Sequence, residues 1–410
     1  ILGDDLGAWM LGSYGNEEFK TPNLDVLARM GTRFNSCFAG APMCAASRAT
    51  LFTGKLPRQH GVSDQPAEGS QKTSMLSDVL AQAGYTCGYA GKWNLGNDAE
   101  PGHGFTFAYT LAGTEPRYEN PQMHLNGKAV QEQGYLTELI TRRATEFLDS
   151  QSAQKPFYLA VSYLNPQPPY LGHPPKYVDM YRSSKFETIG YRPAAANAVG
   201  EKEMLQQPLE NLRKAAGSIS ALDDQIPVLQ AKLRERNLLE NTIVVFTSDH
   251  GSLLGRHGLW GKGDATNPIN MYEEVMRVPL FVSWLGRIPA EAVVPEMVSL
   301  ADVLPTLCEA LEVPAPANLP GRSFLPIAMR KPLPKKQPWR NLVFGHFGET
   351  EMARDNRYKL VLRNQGSGPN ELYNLIADPG EQTNQVENPE YITVVQRLTK
   401  ELAEWRKRTS

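Results

Sequence analysis

Two acidic residues in succession, Asp4-Asp5, follow the short apolar start Ile1-Leu2-Gly3. Like charges that close together raise each other's pKa unless a cation neutralises them, so the pair reads either as a solvated turn or as half of a cation site. A second pair, Asp249-His250, follows the apolar run 242–247 (TIVVFT) and Ser248, and precedes Gly251, which permits a tight turn where a strand leaves its sheet. If the two strand ends converge, carboxylate oxygens and one imidazole nitrogen would suit a hard or borderline divalent ion. Calcium, or magnesium, fits that set before zinc, because no group of thiolates is offered. The four cysteines, Cys37, Cys44, Cys87 and Cys308, are too few and too scattered for a disulfide framework.

Such strand ends need a scaffold, and the rest of the chain supplies its pattern. Strand-like runs alternate with amphipathic helices, as in a parallel or mixed sheet covered on both faces. Thr21-Pro22 has the form of an N-cap and first helical residue, Leu24, Leu27 and Ala28 form an apolar stripe, and Gly31 fits the stop. Further helices are expected over 73–83, 136–148 and 299–311, and Ile219, Leu222, Ile226, Leu229 and Leu233 predict one helix kinked at Pro227. Strands are expected at 157–164, 242–247 and 278–284. The first runs into Asn165-Pro166-Gln167-Pro168-Pro169-Tyr170, which cannot continue a ladder and so belongs at the strand's carboxyl end, where open α/β sheets bind ligands. Proline is dense over 314–338, and the boundary is placed there: a catalytic α/β domain at 1–325 and a C-terminal α+β subdomain at 326–410. Short strands at 340–347, 358–363 and 371–375 and a terminal helix at 391–406 are expected in the latter.

With 410 residues, 41% of them hydrophobic, the chain can fill one large core and a smaller one. The 42 Lys and Arg nearly balance the 44 Asp and Glu, so no whole-surface field exists to hold nucleic acid or an anionic membrane, and anion binding must be local. No apolar run approaches a membrane span. No export signal is visible; Ile1-Leu2-Gly3 reads as the tail of a strand already under way, so a natural N-terminus with any such signal is expected to precede it.

Between the two acidic pairs lies Pro42-Met43-Cys44-Ala45-Ala46-Ser47-Arg48-Ala49-Thr50-Leu51-Phe52-Thr53-Gly54. This segment resembles the signature of the sulfatase family, Cys-x-Pro-Ser-Arg followed by a short helix and Thr-Gly, with Ala46 at the usual proline. Asp4-Asp5-Leu6-Gly7 is similar to that family's first metal motif, and Gly91-Lys92-Trp93-Asn94-Leu95-Gly96 to its Gly-Lys-Trp-His-Leu-Gly segment. Ser248-Asp249-His250-Gly251 and Gly258-Leu259-Trp260-Gly261-Lys262-Gly263 resemble its late metal and lysine motifs, and Arg357-Tyr358-Lys359-Leu360, Glu371-Leu372-Tyr373-Asn374 and Asp378-Pro379-Gly380-Glu381 its C-terminal subdomain. The order of these motifs over nearly the whole chain makes the resemblance specific.

The resemblance implies an alkaline-phosphatase-like fold: a large mixed, mostly parallel sheet flanked by helices, with a smaller C-terminal α+β subdomain. It implies that a maturing enzyme, formylglycine-generating or another sulfatase-maturing type, converts Cys44 to the aldehyde formylglycine. Hydrated, that residue would attack sulfur, carry the sulfate as an ester, and expel it as the aldehyde re-forms. Asp4, Asp5, Asp249, His250 and modified residue 44 would hold Ca2+ or Mg2+. Arg48, one helical turn beyond Cys44 in a helix starting near Ser47, would reach back toward it, and Lys92 and Lys262 would neutralise sulfate oxygens.

Asn94 and Gln167 stand where relatives carry the histidines that move protons, and neither amide can donate a proton to a departing alkoxide near neutral pH. Either another group is the acid (His257, His60, Lys262 or a bound water), or the leaving group needs little help, or activity is reduced. His60, His173, Arg256 and His346 are candidate sugar-binding residues. The expected substrate is a sulfated carbohydrate, and the expected location periplasmic or secreted; both follow from the resemblance. The rival readings are a phosphoester or phosphonate hydrolase of the same superfamily and a catalytically silent homologue that binds sulfated glycans.

Overall fold

The computed structural model describes residues 1–63, 73–113, 117–334 and 336–409. Eleven strands form the main sheet: β1 (Leu2–Gly3), β2 (Thr32–Phe38), β3 (Thr86–Gly91), β4 (Phe105–Leu111), β5 (Gln122–Leu125), β6 (Lys128–Gln131), β7 (Phe157–Ser162), β8 (Val244–Ser248), β9 (Arg277–Val278), β10 (Leu280–Ser283) and β11 (Ala292–Ser299). Their order is β11-β2-β10-β8-β1-β7-β3-β4-β5-β6, with β9 paired to β2. The block β8-β1-β7-β3-β4 is parallel throughout, and antiparallel pairs lie to either side. This is the expected mixed sheet.

Register decides where the chemistry emerges. Leu2 pairs with Ser162 and Thr247, Gly3 with Ser248, and Gly91 with Ser162. Four adjacent strands therefore end level, and the residues that follow them (Asp4, Asp249, Lys92 and the 163–170 loop) leave the sheet side by side at its carboxyl edge.

Helices cover both faces because each has one apolar stripe to bury. On one side α1 (Pro22–Arg29), α4 (Leu136–Asp149), α5 (Pro208–Asp223) and α6 (Ile226–Glu235) pack Leu24, Leu27, Leu136, Ile140, Ile219 and Leu229 against Val161, Phe246 and Phe281. On the other lie α2 (Cys44–Thr53), α3 (Leu76–Gln82) and α7 (Val303–Ala310), with Ala49, Phe52 and Val303 against Phe34, Tyr89 and Val282. Two expectations are corrected here. The stripe Ile219–Leu233 is two helices, not one kinked at Pro227: the proline lies in the first turn of α6, where its missing N–H forfeits no helical bond. The helix expected near Ser47 starts at Cys44 itself.

The C-terminal region is an antiparallel meander of β12 (Leu342–Phe347), β13 (Thr350–Asp355), β14 (Tyr358–Arg363) and β15 (Glu371–Asn374), covered by α8 (Ile392–Thr409) through Leu398, Leu402 and Trp405. It is tied to the main sheet by Val343, Met352 and Val361 in the shared core, and by Lys359. That fully buried ammonium donates to Met271 O at 2.7 Å and pairs with Glu273 at 3.4 Å and with Glu381. Among the described residues no helix is long and apolar enough to cross a membrane.

Candidate active site

Cys44 occupies the first turn of α2, all ten of whose residues are buried. Its small residues Ala45, Ala46 and Ala49 let the helix lie close to the sheet edge, and Ser47 Oγ donates to Asp249 O at 2.5 Å, fixing the helix start against the loop after β8. The unpaired amides of that helix start and the positive end of its dipole thus face the strand ends.

Around the Cys44 sulfur the other groups converge. His250 Nε2 and Lys262 Nζ each lie 3.2 Å from Sγ, and Asp4 Oδ1 lies at 3.6 Å. Lys262 Nζ is also 3.6 Å from Asp5 Oδ1. Lys92 Nζ donates to Asp4 Oδ2 at 2.5 Å and to Gln167 Oε1, so the proline-rich loop and the loop after β3 meet over one lysine. Gly91 and Gly251 have to be glycine. A Cβ on Gly91 would lie 1.8 Å from Ser162 O, and one on Gly251 2.0 Å from Glu274 O. Both turns bring backbone to van der Waals contact so that the neighbouring Lys92 and His250 can face the sulfur.

Arg48 is wholly buried, and its donors are directed at the scaffold. Nε donates to Asp249 Oδ2 at 2.9 Å, Nη1 to Lys92 O and Ser162 Oγ at 2.8 Å each, and Nη2 lies 3.6 Å from Asp4 Oδ2. It fixes two carboxylates and the lysine loop in place. Asp249 Oδ1 accepts from the amides of Asp5 at 3.3 Å and His250 at 2.8 Å. Burial opposes the Asp249 charge, but His250 and Arg48 outweigh it and hold the carboxyl at about 2. Burial likewise opposes the His250 imidazolium, while Asp249 and Cys44 favour it, and the balance lifts His250 to about 10. Lys92 and Lys262 are both raised: burial works against each, and Asp4 for the first and Asp5 for the second, with Cys44, overcome it.

One carboxylate oxygen has ion-pair neighbours, Lys262 Nζ at 3.6 Å and His250 Nδ1 at 3.5 Å, but accepts no hydrogen bond. Asp5 Oδ1 is buried without a hydrogen bond, in a residue held in the left-handed region at φ 64°. A buried carboxylate oxygen with no hydrogen bond and only ion pairs at 3.5–3.6 Å keeps a lone pair free for a further cation. Ligand atoms of Asp4, Asp5, Cys44 and His250 lie within 4.8 Å of one another. His250 Nδ1 donates to Gly251 O at 2.9 Å, so Nε2 is the nitrogen that would turn a lone pair to this group once a cation displaces its proton. The donor set fits a divalent cation. Asp249 stands at its rim, Oδ1 4.0 Å from His250 Nε2, with its oxygens already engaged by Arg48 and two amides.

The remaining candidates are placed elsewhere. His60 is buried behind α2: Val62 N–H donates to its Nδ1 at 3.0 Å, its Nε2 meets Thr50 Oγ1 at 3.1 Å, and burial lowers it to about 4. It sits as a core histidine, neutral near pH 7, bonded to α2 through Thr50. His173 packs on Tyr118 and bonds Tyr135 Oη through Nδ1 at 2.8 Å, with burial again lowering it to about 4. His346 lies in β12 beside Trp405, lowered by burial and then by Arg58. His257 stacks on Tyr272 with centroids 4.0 Å apart and gives Nε2 to Glu274 at 3.2 Å; Arg256 pairs with the same carboxylate at 3.2 Å and lies over Trp9 at 4.1 Å. Asn94, at φ 56°, offers its amide N–H to Asp98 Oδ1 at 3.3 Å. Ser47, Ser162, Tyr89 (Oη to Lys92 O, 2.5 Å) and Glu274 take positioning roles that no local sequence pattern marks. An apolar cavity of about 450 Å³ lies among Ile1, Phe157, Val244, Leu80 and Leu311 and contains none of the cluster around Cys44.

Known proteins share this chain's fold and much of its sequence pattern. The family model described as sulfatase matches residues 1–313, and that described as N-sulphoglucosamine sulphohydrolase, C-terminal, matches 255–408. The chain is 25% identical to an N-acetylglucosamine-6-O-sulfatase of Bacteroides thetaiotaomicron, over 99% of this chain and 85% of that one. A solved structure described as a complex with its substrate D-glucosamine-2-N,6-O-disulfate superposes with a TM-score of 0.87 at 24% identity, covering 100% of this chain and 97% of that one. A phosphonate monoester hydrolase from Silicibacter pomeroyi has the same fold, with a TM-score of 0.82 at 20% identity over 100% and 95% of the two chains.

Proposed function

The chain belongs to the sulfatase family, and from that premise we propose that it removes sulfate from a carbohydrate, using an aldehyde made from Cys44 beside a divalent cation. As a sulfuric ester hydrolase it must bring a nucleophile to an anionic sulfur and stabilise a poor leaving group. The observation that carries the reading is the convergence on one sulfur atom of His250, Lys262 and Asp4, with Lys92 one hydrogen bond further out.

Asp4, Asp5, His250 and residue 44 would hold the cation, Ca2+ or Mg2+, with Asp249 at its rim. When bound, it would lower the pKa of a hydroxyl on hydrated residue 44 and so supply a nucleophile near neutral pH. The Cys44 sulfur marks where the oxygens of that residue would stand. Lys262 and Lys92, whose side chains remain 16% and 12% exposed, are the cations able to touch substrate; both keep their charge and would meet the sulfate oxygens as negative charge accumulates there. Arg48, fully buried with Nε and Nη1 hydrogen-bonded and Nη2 3.6 Å from Asp4, would act through Asp4, Asp249 and the Lys92 loop. Gln167 would orient Lys92 instead of moving a proton.

The sulfated carbohydrate is supported by the relative named N-acetylglucosamine-6-O-sulfatase and by the neighbour bound to a disulfated glucosamine. Among His60, His173, Arg256 and His346, Arg256 combines a charge with partial exposure, 25%, and would sit at the rim of a sugar pocket. Conversion of Cys44 by a maturing enzyme and export to the periplasm or exterior belong to the same reading.

The test is made on protein co-expressed with a maturing enzyme. Intact-mass and peptide analysis should show aldehyde in place of thiol at residue 44, and the converted protein should release sulfate from glucosamine sulfates. A thiol that persists after co-expression would favour the silent glycan-binding homologue. Faster cleavage of a matched aryl phosphate or phosphonate than of the aryl sulfate would favour the rival hydrolase, whose fold is shared.

A further inference from the structure

Asn94 and Gln167 cannot protonate a leaving alkoxide; of the other candidates His60 is buried behind α2, His257 is engaged by Glu274 and Lys262 is held as a cation beside Asp5, which turns attention to carboxyls packed on the Lys262 loop. Among the described residues the strongest candidate is Glu201. Its segment is fixed to the loop that carries Lys262 by backbone bonds: Ala195 N–H to Gly258 O at 3.0 Å, a bridge between Ala198 and Thr266, and Val199 N–H to Ala265 O at 2.9 Å. The carboxyl lies over Gly261, next to Lys262; a methyl group added to that glycine would lie 3.6 Å from Glu201 Cδ and 3.7 Å from Oε2. Oε2 is buried with no hydrogen-bond partner, and no ion pair within 4 Å engages the side chain among the described residues. Glu201 is also left-handed, at φ 47°, a conformation that costs an L-residue of its shape about 1 kcal/mol or more and persists only where the surroundings enforce it.

We propose that Glu201 is the proton donor to the leaving oxygen of the sulfate ester. The inference rests on the sulfatase reading and names the one chemical role that reading leaves unfilled. As the bond from the attacking oxygen of residue 44 to sulfur forms, the bond from sulfur to the alcohol oxygen breaks and its electron pair passes to that oxygen. The Glu201 O–H supplies the proton, which gives a neutral alcohol and a Glu201 carboxylate. The remaining hydroxyl of residue 44 gives its proton to solvent as sulfate departs and the carboxylate regains one from solvent once the alcohol leaves, so the side chain returns to its starting state each turnover and ester plus water become alcohol, sulfate and one proton. Lys262 beside it favours the carboxylate that forms, while burial favours the acid that donates.

The surroundings suit a carboxyl that must be an acid near neutral pH. Burial leads in raising this carboxyl and Lys262 opposes it; Asp5, which adds to the rise in the cation-free protein, would cease to do so with a cation bound, leaving burial as the cause that favours the acid. Tyr170, whose ring is fully enclosed against Trp260, senses the same carboxylate from the proline-rich loop.

The experiment compares converted, cation-loaded wild type with Glu201→Gln and Glu201→Asp on two esters: 4-nitrophenyl sulfate, whose phenolate departs unaided, and an alkyl 6-sulfate of methyl glucosaminide, whose alkoxide does not. Glu201→Gln should lose roughly 10²- to 10⁴-fold in kcat on the alkyl ester and only a few-fold on the aryl ester, and Glu201→Asp should recover part of the loss. Equal losses on both esters, or none on the alkyl ester, would overturn the proposal. A wild type inactive on both esters would instead count against the sulfatase reading. Infrared difference spectra of wild type minus Glu201→Gln at pH 6, which need no turnover, should show a protonated carboxyl stretch; its absence would overturn the proposal independently.

Discussion

Replacing His60 by glutamine separates a core histidine from a catalytic one. The native imidazole is 5% exposed, and burial holds it at about 4 against an ordinary value near 6.5. The folded protein therefore keeps it neutral while the unfolded chain takes up a proton as pH falls through 6.5. Stability is unaffected above that value and falls between about 6.5 and about 4, below which both states are protonated and no further loss follows. At about 1.4 kcal/mol per unit the penalty reaches roughly 3 kcal/mol by pH 4. Glutamine can accept from Val62 N–H and donate to Thr50 Oγ1, so His60→Gln should cost only about 1 kcal/mol at pH 7.5 and escape the acid penalty. Urea unfolding of both proteins at pH 7.5, 6, 5 and 4, at fixed ionic strength, gives the difference directly, since carboxylates common to both cancel. The difference should shift by roughly 3 kcal/mol in favour of the variant across that window. A flat difference would refute the burial argument. A turnover loss on the order of 10²-fold at pH 7.5 would refute the placement of His60 outside the reaction, because that is the size of effect that removing a general acid produces.

Arg48→Met should cost about 3–5 kcal/mol in urea titrations, because it strands the buried carboxylates of Asp4 and Asp249, and should abolish turnover; a loss of activity with unchanged stability would assign Arg48 to the substrate instead. Removing divalent ions with a chelator should lower both activity and thermal midpoint, and Ca2+ or Mg2+ should restore them; superimposable melting curves with and without chelator would contradict a cation at Asp5 Oδ1. Lys359→Met should destabilise by about 3–5 kcal/mol by leaving Glu273 and Glu381 buried without their ammonium, and adding Glu381→Gln should recover part of that loss; additive losses would mean the network is not coupled.

The strand ends that carry Asp4 and Asp249 were legible because an apolar run followed by charge and glycine has few other readings, and the parallel block of the sheet follows from the alternation of runs and helices. What satisfies each charge was not. Nothing near Asp249 in the sequence shows that Arg48, 201 positions away, takes its Oδ2, or that its Oδ1 is occupied by two amides. β13 reads TEMARD, too polar for a buried strand, yet Glu351 is clamped by Arg58 and Arg406 and Arg354 meets Glu273, so charge pairing from three distant segments replaces apolar burial. β3 contains Gly88 and Gly91, which weaken a strand pattern; in the fold Gly88 makes room for the Phe147 ring. Glu201 carries no local signal, since its meaning comes wholly from being held against the loop of Lys262.

Charge balance shows what a cation would add to this arrangement. Asp4, Asp5 and Asp249 face Arg48, Lys92 and Lys262, so the side chains alone sum to zero. His250, raised by Asp249 and by Cys44 against burial, shows that this pocket accepts positive charge beside Asp249. A dication at Asp5 Oδ1 would leave an excess near two. A sulfate monoester brings one negative charge, whereas the departing sulfate carries two. The excess would be matched to the attacking oxygen of residue 44 and the ester together, and the interactions that accelerate the reaction are those that strengthen as charge passes from that attacking oxygen to the leaving oxygen. Rigidity makes the match effective: Arg48 and Asp249 are wholly buried and fixed, so little reorganisation is needed as charge moves toward Lys92 and Lys262.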